Sequence, residues 1–150
     1  MPGRKRVAQP PPDPAHPGAR LDGLHHVSLT VSDLDRSVEW YREVLGLSRL
    51  GENDHDGGRT VVLADHGPGF VLLLQQHKAH EGTGYSEYRP GLDHLSFRVA
   101  DVAELEAWST HLDDLGIDHR PILVEEWGAV LVFRDPDRIQ LEVFCDPGRG

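Results

Sequence analysis

Two histidines and one glutamate carry the chemistry that this chain advertises. His26 and His94 sit at the same place in two copies of one pattern, LHHVSLTVSDL (Leu24 to Leu34) and LDHLSFRVADV (Leu92 to Val102). Laid sixty-eight positions apart, Leu24 meets Leu92, Ser28 meets Ser96, Val31 meets Val99, Asp33 meets Asp101 and Trp40 meets Trp108. Glu142 lies in the last apolar stretch, a carboxylate alternating with Ile139, Leu141 and Val143. Two neutral imidazoles and a carboxylate on one sheet face form a facial triad. That donor set suits Fe(II), and also Mn, Co, Ni or Zn, with coordination positions left open for a substrate.

Positioning these groups requires strands with one apolar and one polar face. Val27, Leu29 and Val31 point one way, and His26, Ser28 and Thr30 the other. The second copy repeats this, with Leu95, Phe97 and Val99 opposed to His94, Ser96 and Arg98. In the last strand Ile139, Leu141 and Val143 should face helices, leaving Gln140, Glu142 and Phe144 on the side of the histidines. Asp33 caps a helix with the stripe Leu34, Val38, Tyr41 and Leu45, ended by Gly46. Asp101, with Glu104 three residues on, caps a second with Val102, Leu105, Trp108, Leu112 and Leu115, stopped by Gly116.

Further strands are expected at Leu47 to Glu52, Thr60 to Ala64 and Phe70 to Gln75 in the first unit. In the second they fall at Asp118 to Val124, Ala129 to Arg134 and Ile139 to Phe144. The fold class is therefore α+β: two tandem βαβββ modules, about 22–77 and 92–146. Together they form a cupped eight-stranded mixed sheet around a cavity. Residues 78–91 form a polar, glycine-containing linker with a possible second role as a flap, and the Pro-rich residues 1–20 read as a disordered tail.

The balance of 15 basic and 25 acidic residues, a formal charge of -10, argues against nucleic acid or an anionic membrane as partner. No apolar run is long enough to span a bilayer. Cys145 is the only cysteine, which excludes an intrachain disulfide and makes the cytoplasm the expected compartment.

On HHVSLTVSDLDRSVEWYREVLGL, GLDHLSFRVAD and VFRDPDRIQLEVF, the chain resembles the vicinal oxygen chelate superfamily of glyoxalases, extradiol dioxygenases, fosfomycin-resistance transferases and bleomycin-binding proteins. The resemblance covers roughly 21–146. It implies one divalent transition metal per site, held by His26, His94 and Glu142, with His25 the off-face neighbour of His26. It also implies a small-molecule substrate and a homodimer, with the site either within one chain or shared, His26 from one subunit meeting His94 and Glu142 of the other. Glu142 and Ser28 are the expected catalytic groups. Ser96, Arg98, Leu72, Leu74, Trp127 and Phe144 are expected to line the substrate site.

Glyoxalase I has a fourth ligand on the last strand of the first unit. Stepping back from Glu142 by the repeat interval reaches Leu74 or Leu72, depending on where the interval is measured, so an apolar wall replaces that ligand. Extradiol enzymes place a histidine and a tyrosine before the Asp-Pro of the last turn. Here VLVF precedes Asp135, and Arg138 replaces their usual glycine or proline. The expectation is thus a Lewis-acid enzyme of lyase, isomerase or transferase type, with an Fe(II) extradiol-type dioxygenase as the alternative. The opposing class is a metal-free antibiotic-binding protein, from which the three ligands distinguish this chain.

Overall fold

The computed structural model describes residues 21–67 and 69–148, together with Pro11, Pro14, Gly18 and Ala19. The disordered tail expected at 1–20 lies, those four residues apart, outside the described part. The first module runs β1 (Val27–Thr30), α1 (Leu34–Leu45), β2 (Ser48–His55), β3 (Gly58–Ala64) and β4 (Val71–His77). The second runs β5 (Leu95–Arg98), α2 (Val102–Asp114), β6 (Leu123–Glu125), β7 (Gly128–Arg134) and β8 (Gln140–Cys145). Each is βαβββ, as expected. The eight strands are hydrogen bonded as two sets of four, ordered β1-β4-β3-β2 and β5-β8-β7-β6. In each sheet the first strand runs parallel to the last, the other pairs are antiparallel, and the first strand leaves one edge free.

Local chemistry sets these boundaries. The Asp33 carboxylate accepts from the Arg36 amide at 3.2 Å, one of the donors that an α-helix leaves without a partner at its start. At the other end Gly46, at φ 69°, takes the left-handed turn that closes α1. Asp101 likewise accepts from the Glu104 amide at 3.0 Å. Among the second module's strands β6 is shorter than the expected Asp118 to Val124. Pro121 has no amide hydrogen for the ladder, and only an isolated His119–Phe133 bridge precedes it.

One apolar core joins the modules: Leu29, Leu34, Val38, Tyr41, Leu72 and Leu74 pack in the same cluster as Leu105, Leu112, Leu131, Phe133, Leu141 and Val143. The α1 helix leans on the β7–β8 turn. The Tyr41 hydroxyl donates to Asp135 at 2.8 Å, and Trp40 packs on Phe133 with ring centroids 6.3 Å apart. Asp135, 3 % exposed, also accepts from the amides of Asp137 and Ile139. Burial pushes its carboxyl up to about 6. Burial, and then the Asp135 charge, raise the Tyr41 hydroxyl as well, so it stays a donor. On the far side of the turn, Ser32 donates through its amide and hydroxyl to the Asp137 carboxylate.

Candidate metal centre

His94 immediately precedes β5, and Glu142 lies in the middle of β8, in register with Ser96. That register aims Glu142 at the face carrying His94, and His94 Nε2 stands 3.4 Å from Glu142 Oε1. The spacing suits two donors of a single ion. With bonds of about 2.0–2.2 Å, donors that far apart subtend roughly the angle of neighbouring positions in tetrahedral or octahedral coordination. The other ring nitrogen, His94 Nδ1, lies 2.6 Å from the Asp93 carboxylate. With a hydrogen on Nδ1 donated to Asp93, the Nε2 lone pair is free for a metal.

His26 holds the matching place before β1, but the chain does not bring it to the pair. Its Nδ1 is 2.7 Å from Nδ1 of His25. Among the described residues, no three His, Cys, Asp or Glu side chains converge as a metal site. His26 and the pair lie at strands of two separately hydrogen-bonded sheets.

The wall expected from Leu72 and Leu74 needs correction. Both are in the core, 1 % and 0 % exposed, turned toward the helix side. Ser28 pairs with Leu73, whereas Ser96 pairs with Glu142, so Leu73 is the true counterpart of the glutamate. The repeat interval is sixty-eight at β1 and β5 and seventy at β3 and β7. It returns to sixty-nine at β4 and β8, because the β3–β4 connection is one residue longer than the β7–β8 connection. Counting from either earlier interval misses by one residue, which in a strand means the opposite face. The residue opposite the glutamate is still a leucine.

Ser28 is exposed on β1, and its hydroxyl oxygen accepts from Gln75 Nε2 at 2.8 Å. Ser96 is exposed beside Glu142, and Arg98 lies within 3.5 Å of Asp146. The Trp127 ring is more than half exposed and stacks on Phe144, with centroids 5.7 Å apart and planes within 3°. Gly128 at φ 142° permits this, since a Cβ there would lie 2.5 Å from the Phe144 ring. The linker borders an open groove of about 770 Å³ along β1, lined by Ser28, Thr30, His77, His80, Tyr85 and Leu92 among others. It is tied to the second module by Glu87 and Arg134, 2.7 Å apart, and the guanidinium holds the Glu87 carboxyl below its usual range. Sequence reasoning missed Leu73 and Asp93. Position next to His94 was the only signal that Asp93 offered.

The profile of the Glyoxalase/Bleomycin resistance protein/Dioxygenase superfamily matches residues 23–143. The chain belongs to this superfamily. Among curated relatives it is 31% identical to "Glyoxylase I 4" of Arabidopsis thaliana, over 84% of this chain and 72% of that protein. It is 29% identical to the metallothiol transferase FosB of Shouchella clausii, over 82% of this chain and 80% of that one. A glyoxylase/bleomycin resistance protein/dioxygenase domain from Frankia sp. EAN1pec superposes with a TM-score of 0.80 at 34% identity, covering 87% of this chain and 96% of that one. The superfamily thus accounts for both modules, and its named members here include enzymes of different reaction types. Among the described residues no helix is long and apolar enough to cross a membrane.

Proposed function

We propose that this protein is a divalent-metal-dependent enzyme acting on a small, partly hydrophobic molecule with neighbouring oxygens, through a lyase, isomerase or transferase step. The observation that carries the reading is the His94–Glu142 pair, 3.4 Å apart, with the far nitrogen of His94 already engaged. The bound ion would polarise the substrate oxygens as a Lewis acid. Glu142, paired in register with exposed Ser96, would serve as the base that takes up a substrate proton. Because Ser28 Oγ accepts from Gln75, its own hydrogen is left to hold a substrate oxygen, and exposed Ser96 offers a second hydroxyl. Leu73 and the Trp127–Phe144 stack supply apolar surface, and Arg98 a cation for an anionic group. The names of the relatives, a glyoxylase I, a metallothiol transferase and ring-cleaving dioxygenases, support an enzyme of this superfamily without choosing among these reaction types.

His26 completes the site from a second copy in this reading. The free edges of β1 and β5, one with His26 at its start and one with His94, are the surfaces that a homodimer would bring together. Such a dimer holds two sites, each with His26 from one subunit and His94 and Glu142 from the other.

Elemental analysis of protein purified without an affinity tag should find about one transition-metal ion per chain, absent from folded His94→Ala and Glu142→Ala variants. Full metal retention in either variant refutes the ligand assignment. Mixing His26→Ala chains with Glu142→Ala chains should restore partial activity through one intact shared site, and a stable monomer refutes the sharing. Turnover of hydroxyketone, hemithioacetal and catechol substrates should proceed without air. Activity confined to iron-loaded protein and dependent on oxygen would instead establish a dioxygenase.

A further inference from the structure

The segments leading into β1 and β5 share a glycine of positive φ that the strand pattern does not require. Gly23-Leu24-His25-His26 and Gly91-Leu92-Asp93-His94 are repeat-equivalent. Both glycines adopt positive φ, 111° and 144°, where a side chain would be strained. Successive side chains in a strand point to opposite faces, so neighbours in an extended chain do not touch. In both copies they do: His25 meets His26 Nδ1 at 2.7 Å, and Asp93 meets His94 Nδ1 at 2.6 Å. Two different side chains therefore stand within hydrogen-bond distance of the same ring atom from the same position; Asp93 can only accept, and between His25 and His26 the tautomers set which ring donates.

We propose that His25 and Asp93 are the positioning residues of the two histidines. Each accepts the Nδ1 hydrogen of the following ring, fixes its tautomer and directs Nε2 outward as the donor atom. The inference rests on the reading of His26 and His94 as metal ligands. The two devices are unequal. A carboxylate acceptor strengthens donation from His94 Nε2 more than a neutral imidazole strengthens donation from His26, so the second module anchors the ion and the first completes its shell.

The test compares Asp93→Ala, Asp93→Asn and His25→Ala with the unaltered protein, by two readouts. Long-range nitrogen–proton NMR on metal-free protein at mildly alkaline pH reports which ring nitrogen carries hydrogen, and cobalt(II) titration reports affinity. The unaltered protein should show His94 as the Nδ1–H tautomer. Asp93→Ala should shift it toward Nε2–H and weaken cobalt(II) binding on the order of 10- to 100-fold. Asp93→Asn, whose amide oxygen can still accept, should restore the tautomer and part of the affinity. His25→Ala should act in the same direction on His26 with a smaller loss. An Asp93→Ala protein that keeps both the Nδ1–H tautomer and full cobalt(II) affinity overturns the proposal. The NMR readout needs no metal, so it judges the positioning by itself. Cobalt(II) binding that survives His94→Ala would instead remove the ligand reading beneath it.

Discussion

The two modules share a backbone plan and differ in what they hang on it. Each begins with a Gly-Leu-X-His segment, runs a four-residue strand into an Asp-capped helix, and closes with a strand parallel to the first. At the register position facing the first strand's serine, the second module has Glu142 and the first has Leu73. The hairpins diverge too. The β2–β3 tip reads Asn53-Asp54-His55-Asp56, whereas the β6–β7 hairpin exposes Leu123, Val124 and Trp127. The α1 helix buries five side chains, including Tyr41, whereas α2 buries Leu105 and Leu112. The difference teaches a division of labour: strand alternation and helix capping repeat in both modules, while the imidazole–carboxylate pair of His94 and Glu142 belongs wholly to the second.

Making the second module resemble the first gives the largest expected effect. Glu142→Leu should leave a folded protein with under about one tenth of the normal metal content and turnover reduced by on the order of 100-fold or more, if the ion supplies several kcal/mol of charge stabilisation. Atomic absorption and initial-rate assays check this, and unchanged metal content would break the comparison. The orientation of the first module's last strand is sharpened by truncating adjacent leucines. Leu74→Ala should cost about 2–5 kcal/mol in urea unfolding, because it opens a cavity in the core. Leu73→Ala, on the half-buried face, should cost clearly less; equal losses would reverse the assigned faces.

The seam between the modules is probed through Tyr41 and Asp135. Tyr41→Phe leaves a buried carboxylate short of one donor and should cost about 1–3 kcal/mol by chemical denaturation. The same seam has a pH signature. Folded Asp135 keeps its proton up to about 6, while the unfolded chain releases it near 3.8. Between those values the native state binds more protons, so this group's contribution to stability falls as pH rises from about 4 to 6 and is lowest above that. The stability difference between the unaltered protein and Asp135→Asn should change across that window in that sense, and a flat difference refutes it. The smallest effect concerns Arg138, the one non-glycine described with positive φ, at 69°. Arg138→Gly relieves left-handed strain at some cost in unfolded-state entropy and should stabilise by up to about 1 kcal/mol in thermal unfolding.

Much of this protein is dictated by local chemistry that a linear reading can follow. Alternation in VSLTV and LSFRV, caps at Asp33 and Asp101, and stops at Gly46 and Gly116 define elements through neighbours no more than a few residues away. The repeat then identifies His26 and His94 as equivalents, and the alternation of β8 places Glu142 on the side of His94. What the sequence could not decide depends on contacts between distant segments. One residue in the β3–β4 connection moved the counterpart of Glu142 from Leu72 or Leu74 to Leu73, because register is set by strand pairing and not by counting along the chain. The Tyr41–Asp135 bond joins positions from different modules, and no local signal marks it. Likewise, that His26 does not join the His94–Glu142 pair depends on how the two modules are placed, and no local signal marks it.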